Sequence, residues 1–264
     1  MSSGRSGGLW FATLSQETEP RLRGIVALVS SVKILAIIPA RGGSKRLPGK
    51  NLRPFLGQPL LQWSIAFARR LPQFDRIVVS TDSPAIADCA RAAGAEVPAL
   101  RPAALASDTA GSADVALDLL DREAAAGRDY DLVALLQPTS PMRDAKPWEE
   151  AFRLIERLGT DAVVGVSPVR DHPLHVFTVE TDGMLVPWSG REGLALRTQD
   201  LPAAVCVNGS LYLVRVPALR SERTFFPRRT VGVLCGQPYE AVDIDTEADW
   251  VVAEALATHY GRHP

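Results

Sequence analysis

Cysteine is scarce: Cys89, Cys206 and Cys235 are the only three, and no CxxC spacing relates them. That excludes a disulfide framework or a cysteine-rich zinc site and suits buried thiols in a reducing compartment. A surplus of one charge is also missing, the formal net charge being −1. Without a broad basic face, general nucleic-acid binding is not expected. No apolar run reaches the ~20 residues of a membrane span, so no membrane partner is expected. The opening "MSSGRSGG" reads as the start of a disordered extension over residues 1–31. "GIVALVSSV", which follows, lacks a basic flank and a cleavage site, so the expected location is cytoplasmic.

What is present is a rhythm. "KILAIIP" (33–39), "RIVVSTD" (76–82), "DLVALLQ" (131–137) and "DAVVGVS" (161–167) are short, β-branched, continuously apolar runs, the pattern of strands buried on both faces. Between them lie helical segments at 58–72, 83–94, 112–127 and 144–159. Ser83–Pro84 opens one and Gly94 stops it; Ser112 is the expected N-cap of the next. Alternation of this kind predicts an α/β fold, a doubly wound and mostly parallel sheet. From about residue 170 to 230 the pattern turns β-rich, with a hairpin expected at Asp182–Gly183 and a strand over 208–216. A helix over 246–260 closes one domain spanning 32–264, with the β-rich stretch as an insertion.

The densest signal is "IIPARGGSKRLPGKNL" (37–52), running directly out of the first strand. Arg41, Lys45, Arg46, Lys50 and Arg53 place five cations between positions 41 and 53 with no acid among them. In open α/β sheets the loop after the first strand is the favoured phosphate site. Gly42 and Gly43 allow close backbone approach and Ser44 adds a hydroxyl donor. A Walker A loop is excluded because Lys50 is followed by Asn51, and GxGxxG is absent. A nucleoside triphosphate carries about four charges, each worth ~4 kcal/mol against a cation at ~4 Å in partly shielded protein. The loop supplies the cations, and a divalent metal would complete the balance. The other reading of such a run is a solvated basic turn.

This segment resembles the signature of the sugar-acid cytidylyltransferases, the CMP-sialic acid synthetase group. The resemblance continues in order through "VVSTDS" (78–83), "LRPAALASDTA" (100–110), "LLQPTSPMR" (135–143), "QDLP" (199–202), "NGSLY" (208–212) and "DIDTEAD" (243–249). It implies a nucleotidyltransferase of Rossmann-like, GT-A-like fold that moves CMP from CTP to the anomeric hydroxyl of a nine-carbon acidic sugar. Pyrophosphate would be released, with Mg²⁺ as cofactor and a homodimer as the working form. By the same resemblance Arg41, Ser44, Lys45 and Lys50 hold the triphosphate, Lys50 also steadies charge at the α-phosphate, and Asn51 lies by the nucleotide. Arg101 is implied to read the cytosine edge; its other reading is a surface arginine paired with Asp108. Gln137 is implied at the floor of the sugar pocket.

Asp243 and Asp245, two apart, would share one face of a strand and hold the metal beside phosphate oxygens and waters. Asp245 could also be the N-cap of the last helix. At the sugar end the resemblance loosens. Where relatives place a lysine after "HPL" and an arginine before "NG", this chain has His175 and Cys206. Arg197 is the candidate to replace them at the sugar carboxylate, with Gln199 and Asn208 as further sugar contacts. Phe225 and Phe226 resemble an aromatic pair that reaches a partner's sugar, although adjacent phenylalanines also read as core.

Two alternatives stay open. "RTQDL" resembles the pseudaminate branch, and "RLPGK" is shared with the eight-carbon Kdo branch. A glycosyltransferase of related fold would use DxD for a UDP-sugar, but lacks the cationic loop and normally carries its DxD mid-chain.

Overall fold

The computed structural model describes residues 32–263 except Asp108. The extension expected over residues 1–31 lies outside the described residues. By its internal contacts the chain divides into Met1–Val32 and Lys33–Pro264, and everything below concerns the second unit.

Its centre is β1 (Ile34–Pro39), whose first five side chains are all buried. An aliphatic run of this length has no polar face to turn to water, so it can only sit between other layers. Two tiny strands, β2 (Pro54–Phe55) and β3 (Gln58–Pro59), pair with each other after the cationic loop and lead into α1 (Leu60–Arg69). Then come β4 (Arg76–Ser80), α2 (Pro84–Ala92), α3 (Ser112–Ala125), β5 (Leu132–Leu135), α4 (Ala145–Arg157) and β6 (Ala162–Pro168). Ser83 caps α2 by accepting the Ile86 N–H, and Gly94 ends it at φ +86°. The cap expected at Ser112 moves one place: Gly111 is the N-cap and Ser112 is the first helical residue.

The insertion follows as an antiparallel hairpin, β7 (Phe177–Val179) and β8 (Leu185–Pro187), turning at Gly183 with φ +85°. The long β9 (Val205–Arg215), α5 (Val216–Glu222), β10 (Thr230–Leu234) and α6 (Glu247–His259) complete the unit. The main sheet has the order β10-β6-β9-β5-β1-β4. Only β9 is antiparallel to its neighbours, lying between β5 and β6. The expectation of a mostly parallel, doubly wound α/β sheet therefore holds, with one reversed strand inside it. The elements that escape the sequence rhythm are the tiny strands β2 and β3, the helix α5 and the edge strand β10. "TVGVL" is short and its burial is broken, as an edge position allows.

The registers decide where a ligand can go. Pro39 of β1 lies beside Ser80 of β4, and Ile37 lies beside Leu135 of β5. The three following loops therefore emerge side by side at one edge, where open α/β sheets form their binding crevice.

Candidate functional site

At that edge lies a cleft of about 490 Å³, lined by the loops after β1 and β5, by the stretch after α2 and by Asp245 from far along the chain. Arg41, Ser44, Lys45, Lys50 and Asn51 line it from the first loop, Arg101 from the stretch after α2, and Gln137 from the loop after β5. Arg46 lines it too, a cation that the sequence reading had left without a role.

Identifiable contacts hold the loop and several of its side chains. Gly42 donates its N–H to Asp82 Oδ1 at 2.8 Å, tying the cationic loop to the end of β4. That engages the backbone donor expected to face a phosphate, and neither Gly42 nor Gly43 lines the cleft. A Cβ on Gly42 would come within 3.1 Å of Ser83, so the requirement there is for packing room. Asn51 is buried and donates Nδ2 to the Arg41 carbonyl at 3.0 Å, closing the loop on itself. Lys50 is 8 % exposed, and its Nζ donates to the Ile244 carbonyl (2.8 Å) and to Asp245 Oδ1 (2.9 Å). Arg53 leaves the set: it forms a two-pronged pair with Glu247 and lies 4.3 Å over the Trp250 ring.

The "DID" segment is not a strand, so its two aspartates do not share a face. It is an extended link between a short 3-10 turn (Pro238–Ala241) and α6. Buried Ile244 anchors the link by donating its N–H to the Thr139 carbonyl at 2.8 Å. Asp245 turns into the cleft, where Lys50 takes one oxygen and Arg46 the other. Asp243 is exposed and does not line the cleft, although its charge reaches Tyr212. The capping alternative for Asp245 is corrected as well. Thr246 is the N-cap, in a reciprocal box with Asp249. Asp249 Oδ2 accepts from the Thr246 hydroxyl and from the N–H groups of Thr246 and Asp245, which hold its carboxyl below the usual carboxylate range.

Arg101 is no surface arginine. It is 9 % exposed and donates to the Ser80 hydroxyl, the Ser80 carbonyl and the Leu105 carbonyl, at the mouth of β4. Burial pulls its pKa down, against the attraction of Asp82. Asp108, its expected partner, lies outside the described residues.

A smaller recess of about 260 Å³ shares Ser112 and Gln137 with the cleft and is lined further by Tyr212, Arg223, Phe225 and Phe226. Phe225 is core and Phe226 is 48 % exposed; both stand edge-on to Tyr212. Within one protomer, then, the aromatic pair already borders the neighbourhood of Gln137. Tyr212 and Arg223 were missed by sequence reasoning. The tyrosine of "NGSLY" carries no signal apart from its motif, and "SERTFF" gives no pattern that marks the arginine.

Three expected sugar contacts do not gather here. His175, Arg197 and Gln199 are exposed on the β-rich insertion, and Arg197 pairs with Asp200 at 2.6 Å. None of the three lines the cleft or the recess. Asn208 is buried with its amide committed: Nδ2 donates to Ser167, and Oδ1 accepts from the Ser210 N–H and hydroxyl. It organises the junction of β6 and β9. Gly209, next to it, has φ +78°, and a Cβ there would lie 2.6 Å from Ser140 Oγ and 3.2 Å from Gln137 Oε1.

Arg143 was also missed, a lone arginine at the end of "QPTSPMR". It is fully buried and donates to the carbonyls of Gln137 and Ser210 and to the Ser64 hydroxyl. It pins the loop after β5 to β9, and burial pulls its pKa down to about 9.

For a metal, the donor chemistry fits in its smallest form. Mg²⁺ is commonly held by one or two carboxylates, with phosphate oxygens and waters completing the shell. Asp245 supplies one carboxylate inside the cleft, and no cluster of three metal-binding side chains occurs among the described residues.

The chain has relatives among known proteins. Residues 35–188 match the family described as Cytidylyltransferase. The chain is 38 % identical over 225 residues to a CMP-N,N'-diacetyllegionaminic acid synthase of Legionella pneumophila, covering 85 % of this chain and 96 % of that protein. It is 34 % identical to N-acylneuraminate cytidylyltransferase A of Danio rerio, covering 86 % of this chain but spanning only 51 % of that longer protein. In fold it is similar to a CMP:2-keto-3-deoxy-manno-octonic acid synthetase solved with CTP, at a TM-score of 0.63 and 20 % identity, covering 86 % of this chain and 99 % of the other.

Proposed function

The chain belongs to the cytidylyltransferase family, in its CMP-sialic acid synthetase branch, and from that premise we propose that it transfers CMP from CTP to the anomeric hydroxyl of a nonulosonic acid, releasing pyrophosphate. The observation that carries the reading is the meeting of Lys50 and Arg46 with Asp245 across separations of 195 and 199 residues. Cations from the first loop and an acid from the entry to the last helix meet in one cleft, which is the charge arrangement a triphosphate with a divalent ion requires. A UDP-sugar glycosyltransferase has no use for so dense a cationic loop.

In this reading Arg41, Ser44 and Lys45 bind the β- and γ-phosphates. Lys50 donates to the α-phosphate and to the oxygen bridging to pyrophosphate, where negative charge grows as that bond breaks. Its near-complete burial keeps the ammonium poorly hydrated and so makes that donation worth more. Arg101, fixed by Ser80, presents a donor-only edge to the cytosine acceptors O2 and N3. Gln137 and the recess beside it receive the acidic sugar, with Tyr212 and Phe226 as its apolar wall. Mg²⁺ held by Asp245 would neutralise phosphate charge and acidify the sugar hydroxyl. On binding CTP, Lys50 and Arg46 shift from Asp245 to phosphate oxygens, leaving that carboxylate for the metal.

The working form is a homodimer built through the insertion. Val179, Met184, Leu185 and Trp188 are 56–71 % exposed on one small hairpin, a density of apolar surface that soluble monomers seldom carry.

The test is to incubate the protein with Mg²⁺, CTP and a panel of nonulosonic acids (legionaminic, neuraminic and pseudaminic types) and an eight-carbon acid, and to measure pyrophosphate. Release with at least one nine-carbon acid is expected. Release with none of them, together with turnover of a UDP-sugar, overturns the proposal.

A further inference from the structure

Behind the sugar-side loop lies a second cavity, of about 570 Å³, that the reaction above leaves unused. Its walls include Trp63 and Phe67 of α1, Arg69 and Arg70 at the end of that helix, Arg143, and the C-terminal Arg262 and His263. None of its lining residues is acidic. Asp144, at the side, neutralises Arg262 through a 2.8 Å pair. Arg69 reaches the Ala93 carbonyl, Arg70 lies 5.4 Å over the Phe67 ring, and Arg143 is bound by neutral acceptors alone. Among the described residues no carboxylate stands within ion-pair distance of these three arginines.

Three guanidinium groups around one concave space, none in a direct ion pair and the buried Arg143 opposed only at longer range by Glu240, raise the local potential for an anion. A single carboxylate would leave most of that charge unmatched. A phosphate group, doubly charged and rich in acceptors, matches the planar donor forks of arginine. We propose that this rear cavity is a second anion site, taking a small phosphate-bearing ligand against Arg70 and Arg143. The site is distinct from the catalytic cleft, since no lining residue is common to the two. They back onto one segment of chain: Gln137, Pro138 and Thr139 line the cleft, while Pro141, Met142 and Arg143 line the rear cavity.

The proposal is tested by titrating the full chain calorimetrically with orthophosphate, pyrophosphate and CMP as separate arms. Lys50→Ala weakens the front cleft, so the rear site's share of the remaining binding is the part lost when Arg70 is also changed, and the arm that loses most names the phosphate source. Adding Arg70→Glu to Lys50→Ala should weaken the surviving binding at least about tenfold. Arg70→Gln, which avoids placing an acid at a helix end, should weaken it less but in the same direction. The inference is overturned if no arm saturates the Lys50→Ala protein, or if both Arg70 variants bind as tightly as their parent. Neither outcome depends on whether the chain turns over CTP, so failure here is separable from failure of the proposed reaction.

Discussion

The cleft and the insertion are built from opposite kinds of residue placement. In the cleft, three buried side chains are each fixed by a neighbouring residue, Lys50 by Ile244, Asn51 by Arg41 and Arg101 by Ser80, while Lys45 and Arg46 are exposed. On the insertion, His175, Arg197 and Gln199 are exposed, and apolar Val179 and Trp188 stand in the open beside them. The lining residues of the first region come from one chain. The second has the composition of a surface awaiting a cover. Phosphate chemistry needs positioned charge, whereas recognition of an acidic sugar can be completed by a partner.

The comparison breaks most readily at Lys50. Lys50→Ala should lower kcat by about 10²–10³, the usual cost of losing one donor aimed at developing charge, while Arg197→Ala should change it by less than about threefold, as its exposed pair with Asp200 suggests. Steady-state pyrophosphate release measures both. Equal losses would mean that the insertion closes over the active site and that the division drawn between the regions is false. The next effect in size belongs to Gly209→Ala. A left-handed φ costs about 1–3 kcal/mol in a residue with a side chain, and the new methyl would also press on Ser140 and Gln137. Denaturant unfolding should show a loss of about 3 kcal/mol. An unchanged midpoint would show that the junction of β9 with the sugar-side loop is looser than its contacts imply.

The sheet, its helices and the cationic loop were legible because their signals are local. A buried strand announces itself in five or six residues, and cations crowded between glycines do the same. Asp245 could be paired with that loop only through resemblance, since charge balance says that a metal ligand is needed and not where the chain brings it. The face it shares was misread for a physical reason: alternation places two carboxylates on one side only in a strand, and here the Thr246–Asp249 box and the Ile244 anchor impose a different path. Arg143 and Tyr212 gave no local signal at all. Their roles arise from β9 entering the sheet antiparallel between β5 and β6, a pairing between segments distant in sequence. Asn208 shows the reverse case, a polar residue in a suggestive motif that is buried and bonded to Ser167 and Ser210 inside the fold.

A smaller effect sharpens the account of Asp245. Thr246→Ala removes the cap of α6 and should cost about 1 kcal/mol. Its partner Asp249 has a folded pKa below the ordinary value, so the stability it supplies is present above the ordinary aspartate range and is lost as pH falls through the folded value. Thermal melts of the parent from pH 6 downward should therefore drop more steeply below about pH 4 than those of Thr246→Ala. Parallel curves would remove the capping box from the positioning of Asp245.

The smallest effect on folding is expected where the change in behaviour is most visible. Trp188 is 71 % exposed on the hairpin, so Trp188→Glu should alter unfolding of the single chain by less than about 0.5 kcal/mol, as surface substitutions do. If a second copy covers that hairpin, the same change buries an unpaired carboxylate in the interface, and the assembly must open to hydrate it. Sedimentation velocity should then show the parent as a dimer and Trp188→Glu as a monomer at micromolar concentration. A parent that sediments as a monomer would leave the exposed hairpin without the partner argued for it, and the sugar site would have to be completed from the single chain's Tyr212, Arg223 and Phe226.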